Sequence, residues 1–222
     1  HGIIFRLEAM SLSLLFQEGA VVLFQGDSIT DCGRDRRSGD HLGWGYAMMA
    51  ASWFSALYPE RRVTFLNRGV SGDRTKDLVA RWEEDCIALK PDWVSILIGI
   101  NDTWRRYDSG DPTPLEEFER NYRRLLTEVK ERLGAGLILC EPFLLPVPED
   151  RKAWREDLDP KIQVVRSLAR EFGAYYVPFD GIFAQAAART SPEYWAPDGV
   201  HPSLAGHALM ARAWLRTVGV PV

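Results

Sequence analysis

The stretch Val21-Val22-Leu23-Phe24-Gln25-Gly26-Asp27-Ser28 decides the fold. Its first five residues, Val21 to Gln25, form an almost unbroken apolar run, the pattern of a strand buried on both faces. A glycine, a carboxylate and a hydroxyl follow where such a strand would end. Similar runs occur at Arg62 to Asn67, Trp93 to Ile98, Gly136 to Cys140 and Tyr175 to Pro178. Between them, Trp44 to Leu57, Lys76 to Ala88, Leu115 to Leu133 and Leu158 to Phe172 carry the apolar period of amphipathic helices. A last helix is expected from Ser203 to Val218, opened by Pro202 or Ser203 and closed by Gly219.

Apolar strands alternating with helices predict an α/β protein. The expected form is a three-layer α/β/α sandwich around a five-stranded parallel sheet, with right-handed crossovers. In such sheets the functional crevice lies beyond the carboxyl ends of the strands. Residues 10–222 read as one domain, and residues 1–9 as an expression-vector remnant ahead of Met10. The longest irregular stretch, Glu141 to Asp157 with Pro142, Pro146 and Pro148, reads either as the border of a substrate site or as an exposed loop without a role.

Composition narrows the function classes. The 27 Lys and Arg against 31 Asp and Glu leave a net charge of −4, with paired arginines interspersed among acids, so no nucleic-acid footprint is expected. No apolar run approaches the roughly 20 residues of a membrane span, and no convincing secretory signal is present. Cys32, Cys86 and Cys140 are odd in number and lack metal-ligand spacing, which predicts no metal site, no disulfide framework and a reducing, cytoplasmic compartment.

Four segments carry candidate chemistry. Gly26-Asp27-Ser28 can place a hydroxyl at the amino end of a helix, although alone Ser28 reads better as a helix cap. Asn67-Arg68-Gly69-Val70-Ser71-Gly72 can aim a backbone N–H at an oxyanion, or be an ordinary glycine-rich turn. Gly99-Ile100-Asn101-Asp102 offers an uncharged amide donor, or a turn residue bonded to its own backbone. Asp198-Gly199-Val200-His201 lets one loop present a carboxylate and an imidazole, or a helix cap beside a surface histidine.

The four blocks, in this order, resemble the SGNH hydrolases, the GDSL esterase and lipase family, over nearly the whole chain from Val21 onward. Ile29 stands where the family name has Leu. The resemblance implies the family's flavodoxin-like fold, Ser28 as nucleophile, His201 as general base and Asp198 as its orienting acid. It also implies an oxyanion hole of the Ser28 N–H, the Gly72 N–H and the Asn101 amide, with no cofactor. Asp27 and Asp102 are expected to organise their loops and His207 to pack or cap. Cys32 as a thiol nucleophile is the disfavoured alternative, and His41 has no evident partner.

Arg81 to Asp85, Lys90 to Ser95 and Gly99 to Asp108 look like bacterial acetylxylan esterases of that family, as does the opening Gly26 to Arg34. This implies removal of acetyl groups from xylo-oligosaccharides. Trp104, Tyr107 and Trp195, with Trp44 and Tyr194 nearby, are candidate sugar-binding aromatics, or else core and interface residues of a homo-oligomer. Trp82 and Trp93 read as core. A short-chain carboxylesterase, lysophospholipase or thioesterase on the same scaffold is the main alternative, and a non-catalytic carbohydrate-binding protein a distant one.

Overall fold

The computed structural model describes residues 13–222, so the expectations for residues 1–9 and Met10 lie outside the described part. Strands β1 (Val21–Gly26), β2 (Thr64–Asn67), β3 (Trp93–Leu97), β4 (Gly136–Cys140) and β5 (Tyr175–Val177) form one parallel sheet in the order β2-β1-β3-β4-β5. The predicted three-layer α/β/α sandwich is the architecture found. Alternation within the strands sorts the core into two layers: Val22 and Phe24 face one side of the sheet and Leu23 the other. In β4, Ile138 and Cys140 share the layer of Phe24, while Leu137 and Leu139 face away. Both faces are therefore apolar, and both must be covered.

Handedness decides which helices cover them. The step from β1 to β2 runs one way along the sheet, and the steps β2 to β3, β3 to β4 and β4 to β5 run the other. Right-handed crossovers place the first connection on one face and the other three on the opposite face. Helix α2 (Tyr46–Leu57) thus sits apart from α3 (Thr75–Asp85), α5 (Leu115–Glu128) and α6 (Arg155–Phe172). The face holding α2 is completed by α9 (Leu204–Thr217), whose Trp214 is buried and donates its indole N–H to Ser95 Oγ at 3.0 Å. The order reverses between β1 and β3, so the crevice forms at their carboxyl ends.

Several boundaries differ from the sequence reading. Arg62 adopts φ +48 after a short 3-10 turn, so β2 begins at Thr64. Helices α4 (Ile100–Asp108), α7 (Phe179–Arg189) and α8 (Pro192–Trp195) were not expected, and α6 begins at Arg155 with Pro160 inside it. The Glu141–Asp157 stretch is not an exposed loop throughout: Glu141, Phe143, Leu144 and Leu145 are buried.

Candidate active site

The Gly26-Asp27-Ser28 turn leaves β1 under tight constraint. A side chain at Gly26 would meet Thr30 Oγ1 at 2.4 Å and the Leu97 carbonyl at 2.5 Å. The short helix α1 (Ser28–Asp31) is capped by Asp27, whose Oδ1 accepts the Ile29 N–H at 2.9 Å. The capping role therefore falls to Asp27, and Ser28, as first helical residue, keeps its hydroxyl free. Its Oγ lies 3.0 Å from His201 Nε2. First-turn N–H groups have no acceptor within their own helix, so the Ser28 N–H is also available.

Asp198 and His201 share one turn ahead of α9. Asp198 Oδ2 lies 2.6 Å from His201 Nδ1, while Oδ1 accepts the backbone N–H of His201 at 2.7 Å and of Val200 at 2.9 Å. Gly199, at φ +82, presses this turn against the Leu145 and Val147 carbonyls, where a Cβ would lie within 2.7 Å of both. The Leu145 N–H donates to the Gly199 carbonyl at 2.9 Å. The hydrogen bond that the His201 ring donates to Asp198 raises the His201 pKa above its usual 6.5, against the opposing effect of burial. Burial pushes Asp198 upward, but its bonds from the His201 ring and backbone outweigh it and bring the carboxyl down to about 2. Both shifts favour a negative Asp198 beside an imidazole ready to accept a proton.

The segments that follow β2 and β3 offer two further donors. Val70 to Asp73 form a turn closed by the Asp73 N–H on the Val70 carbonyl at 3.2 Å, with Gly72 in its third position at φ +86. That position of a type II turn calls for glycine. Nothing lies within 4 Å of where a Gly72 side chain would start, so the backbone there faces open space. Asn101, buried in the first turn of α4, donates one amide hydrogen to the Asp73 carbonyl at 3.1 Å. The other amide hydrogen remains for a ligand. On the far side of the loop, Asp31 Oδ2 accepts both the Ser71 N–H at 3.1 Å and its Oγ–H at 3.0 Å.

Two buried carboxyls adjoin the site without a side-chain hydrogen bond to Ser28, His201 or Asp198. Burial pushes Asp27 up to about 7, and its Oδ2 has no partner among the described residues. Asp102, raised by burial to about 6, accepts the Thr75 N–H at 3.1 Å and the Thr75 Oγ–H at 2.7 Å. Each organises a loop. His207 packs in the core, its Nδ1 accepting the Tyr46 N–H at 2.9 Å at the start of α2. Burial lowers it to about 4, so it stays neutral. Its Nε2 lies 3.6 Å from Cys32 Sγ, whose pKa is raised by burial, the opposite of what a thiolate nucleophile needs. His41 Nδ1 accepts the Asp35 and Gly43 N–H groups, a loop role.

One aromatic wall adjoins the imidazole. The Trp104 and His201 rings stand 5.9 Å apart, and Arg151 packs against the adjoining Trp104 and Trp154, 5.2 and 4.3 Å from their centroids. Arg151 Nε also donates to the Asp198 carbonyl at 3.2 Å. Tyr107 stacks on Trp154 at 5.5 Å and donates its hydroxyl to the Ala153 carbonyl, so it supports the wall from behind. Trp195 is not brought into this group. Its indole donates to Thr190 Oγ1 at 2.8 Å and it lines a cleft of about 670 Å³ between α7 and α9. None of Ser28, Asp198 or His201 lines that cleft, so its size does not mark the chemistry. Arg151 and Trp154 were not singled out from sequence. The only signal was their place in the proline-rich Glu141–Asp157 stretch.

A hydroxyl, an imidazole and a carboxylate in series are the groups that acyl transfer calls for. The chain belongs to the GDSL-like lipase/acylhydrolase family, whose model matches residues 24–209, and it is a carboxylic ester hydrolase. An acetylxylan esterase from Geobacillus stearothermophilus is 43% identical over 209 residues, 90% of this chain and 94% of that one. The crystal structure of an acetylxylan esterase variant from the same organism superposes with a TM-score of 0.88 at 41% identity, covering 94% of this chain and 99% of that one. Thioesterase 1/protease 1/lysophospholipase L1 of Escherichia coli strain K12 is 25% identical over 74% of this chain and 73% of its own. No helix among the described residues is long and apolar enough to cross a membrane.

Proposed function

We propose that this esterase removes acetyl groups from acetylated xylo-oligosaccharides through a covalent acyl-enzyme. The observation that carries the mechanism is the series Ser28 Oγ, His201, Asp198 at 3.0 and 2.6 Å. Ser28 Oγ attacks the ester carbonyl as His201 Nε2 takes its proton. The resulting oxyanion receives the N–H groups of Ser28 and Gly72 and the free amide hydrogen of Asn101. His201 then protonates the leaving sugar hydroxyl. Water, deprotonated by the same imidazole, attacks the acetyl-enzyme, and acetate leaves.

Likeness to acetylxylan esterases over 90% of the chain supports the sugar substrate, and the Trp104 face beside His201 suits the apolar face of a pyranose ring. The free thiols of Cys32, Cys86 and Cys140 support work in a reducing, cytoplasmic compartment on oligosaccharides already taken up. Acetate release from acetylated xylobiose, compared with hydrolysis of p-nitrophenyl acetate and octanoate, tests the reading. Faster turnover of the octanoate overturns it in favour of a long-chain acyl substrate. Ser28→Ala is expected to abolish turnover of every ester while leaving the circular dichroism spectrum unchanged.

A further inference from the structure

Arg81, on α3, reaches back toward the strand ends with a side chain only 16% exposed. Its guanidinium uses all three nitrogens. Nε donates to Asp73 Oδ2 at 2.7 Å, and Nη1 to the Arg68 carbonyl at 2.7 Å and to Asp85 Oδ2 at 3.2 Å. Nη2 donates to the Gly26 carbonyl at 3.3 Å. Gly26 lies two residues before Ser28, Arg68 two residues before the Val70–Asp73 turn, and Asp73 follows Gly72 directly. One planar cation thus ties the segments that carry two of the proposed oxyanion donors.

The third donor is reached through Asp73. Its N–H closes the turn that presents Gly72, its carbonyl holds the Asn101 amide, and its carboxylate is held by Arg81. Asp73 therefore cannot move without shifting both Gly72 and Asn101, and Arg81 is what fixes its side chain. A fork of rigid donors suits this task, whereas a lysine would reach one acceptor at a time.

We propose that Arg81 is a positioning residue for the oxyanion hole, setting Gly72 and Asn101 against Ser28 through Asp73. The proposal rests on the reading of Ser28, Gly72 and Asn101 given above. Arg81 touches no reacting atom and adds no charge to the oxyanion directly. Its effect must therefore pass through donors whose value is greatest in the transition state, which makes it an effect on kcat.

A double-mutant cycle tests this, using wild type, Arg81→Met, Asn101→Ala and the double variant with p-nitrophenyl acetate. Arg81→Met is expected to lower kcat by roughly 10- to 100-fold with KM within about twofold, a fraction of the ~10²–10³ typical of a lost oxyanion donor. The double variant should fall no more than about threefold below Asn101→Ala, because the two changes disable one unit. Losses that multiply, or a loss confined to KM, overturn the proposal. Should Arg81→Met fail to fold, the same cycle run with Asp73→Asn, which removes the ionic partner but keeps the carbonyl, decides it by the same criteria. Wild-type turnover that disappears in Ser28→Ala checks the underlying reading separately. If that control holds and the cycle is additive, only the role of Arg81 falls.

Discussion

Asp198 grips His201 twice, through the ring Nδ1 at 2.6 Å and through the backbone N–H at 2.7 Å. The first contact sets the tautomer that leaves Nε2 as acceptor toward Ser28, and the second fixes where the ring is mounted. Because the ring contact also raises the His201 pKa above 6.5, the acid limb of kcat/KM is expected above pH 6.5, with activity lost as pH falls through it. Asp198→Asn should lower kcat by roughly 10³–10⁴-fold and move that limb to lower pH. Initial rates between pH 5 and 9 measure both. A limb left in place would show that Asp198 does not govern the imidazole.

Asn101 spends one amide hydrogen on Asp73 and keeps the other. If that hydrogen meets the oxyanion, Asn101→Ala lowers kcat by roughly 10²–10³-fold and leaves KM nearly unchanged. Steady-state kinetics give the split, and a change mainly in KM would assign the amide to ground-state binding instead.

Asp27 is protonated more readily in the folded chain than in the unfolded one, its carboxyl rising from 3.8 to about 7 through burial. The folded state therefore holds the extra proton between those values, and this group's contribution to stability is lost as pH rises through about 7. Asp27→Asn removes the dependence. Thermal melts at several pH values are expected to show the variant gaining on wild type between pH 4 and 7. Parallel curves would contradict a neutral Asp27.

Trp104 stands beside the imidazole with Arg151 against it. Trp104→Ala is expected to raise KM for acetylated xylobiose roughly tenfold, the scale of a lost aromatic contact of ~1.4 kcal/mol. Hydrolysis of p-nitrophenyl acetate, which has no sugar ring, should change less. Equal effects on both substrates would make the indole a support for the His201 loop.

His207 caps the start of α2 from outside the helix, its Nδ1 accepting the N–H of Tyr46, the first helical residue. His207→Ala should cost about 1–3 kcal/mol of stability by leaving that buried donor unpaired, without moving the acid limb of the rate profile. Urea denaturation and the pH profile together check this.

Much of the architecture was visible in the chain because buried parallel strands are continuous in sequence: Val21 to Gln25 and Gly136 to Cys140 announce themselves. The blocks around Ser28, Gly72, Asn101 and His201 were visible for a related reason, since each begins where a strand or the last helix forces the chain to turn. Helix α7 was obscured by Gly181, a poor helix former in its first turn. The capping of α1 by Asp27 rather than Ser28 depends on backbone angles that neither residue type dictates. Arg81 and Arg151 were invisible as site residues because their meaning lies in acceptors far along the chain, Gly26 for one and Asp198 for the other. Trp195 shows the converse: nearness to His201 in sequence did not bring its ring to the site.

Helix α9 closes the face that the crossovers leave to α2 alone, and the turn that begins it brings His201 across 173 positions of chain to Ser28. Ser28 is therefore synthesised well before His201. A nascent or clipped chain that ends before His201 carries the serine but has nothing to take its proton. On the proposed mechanism, Ser28 is therefore expected to become reactive only once the turn ahead of α9 has seated.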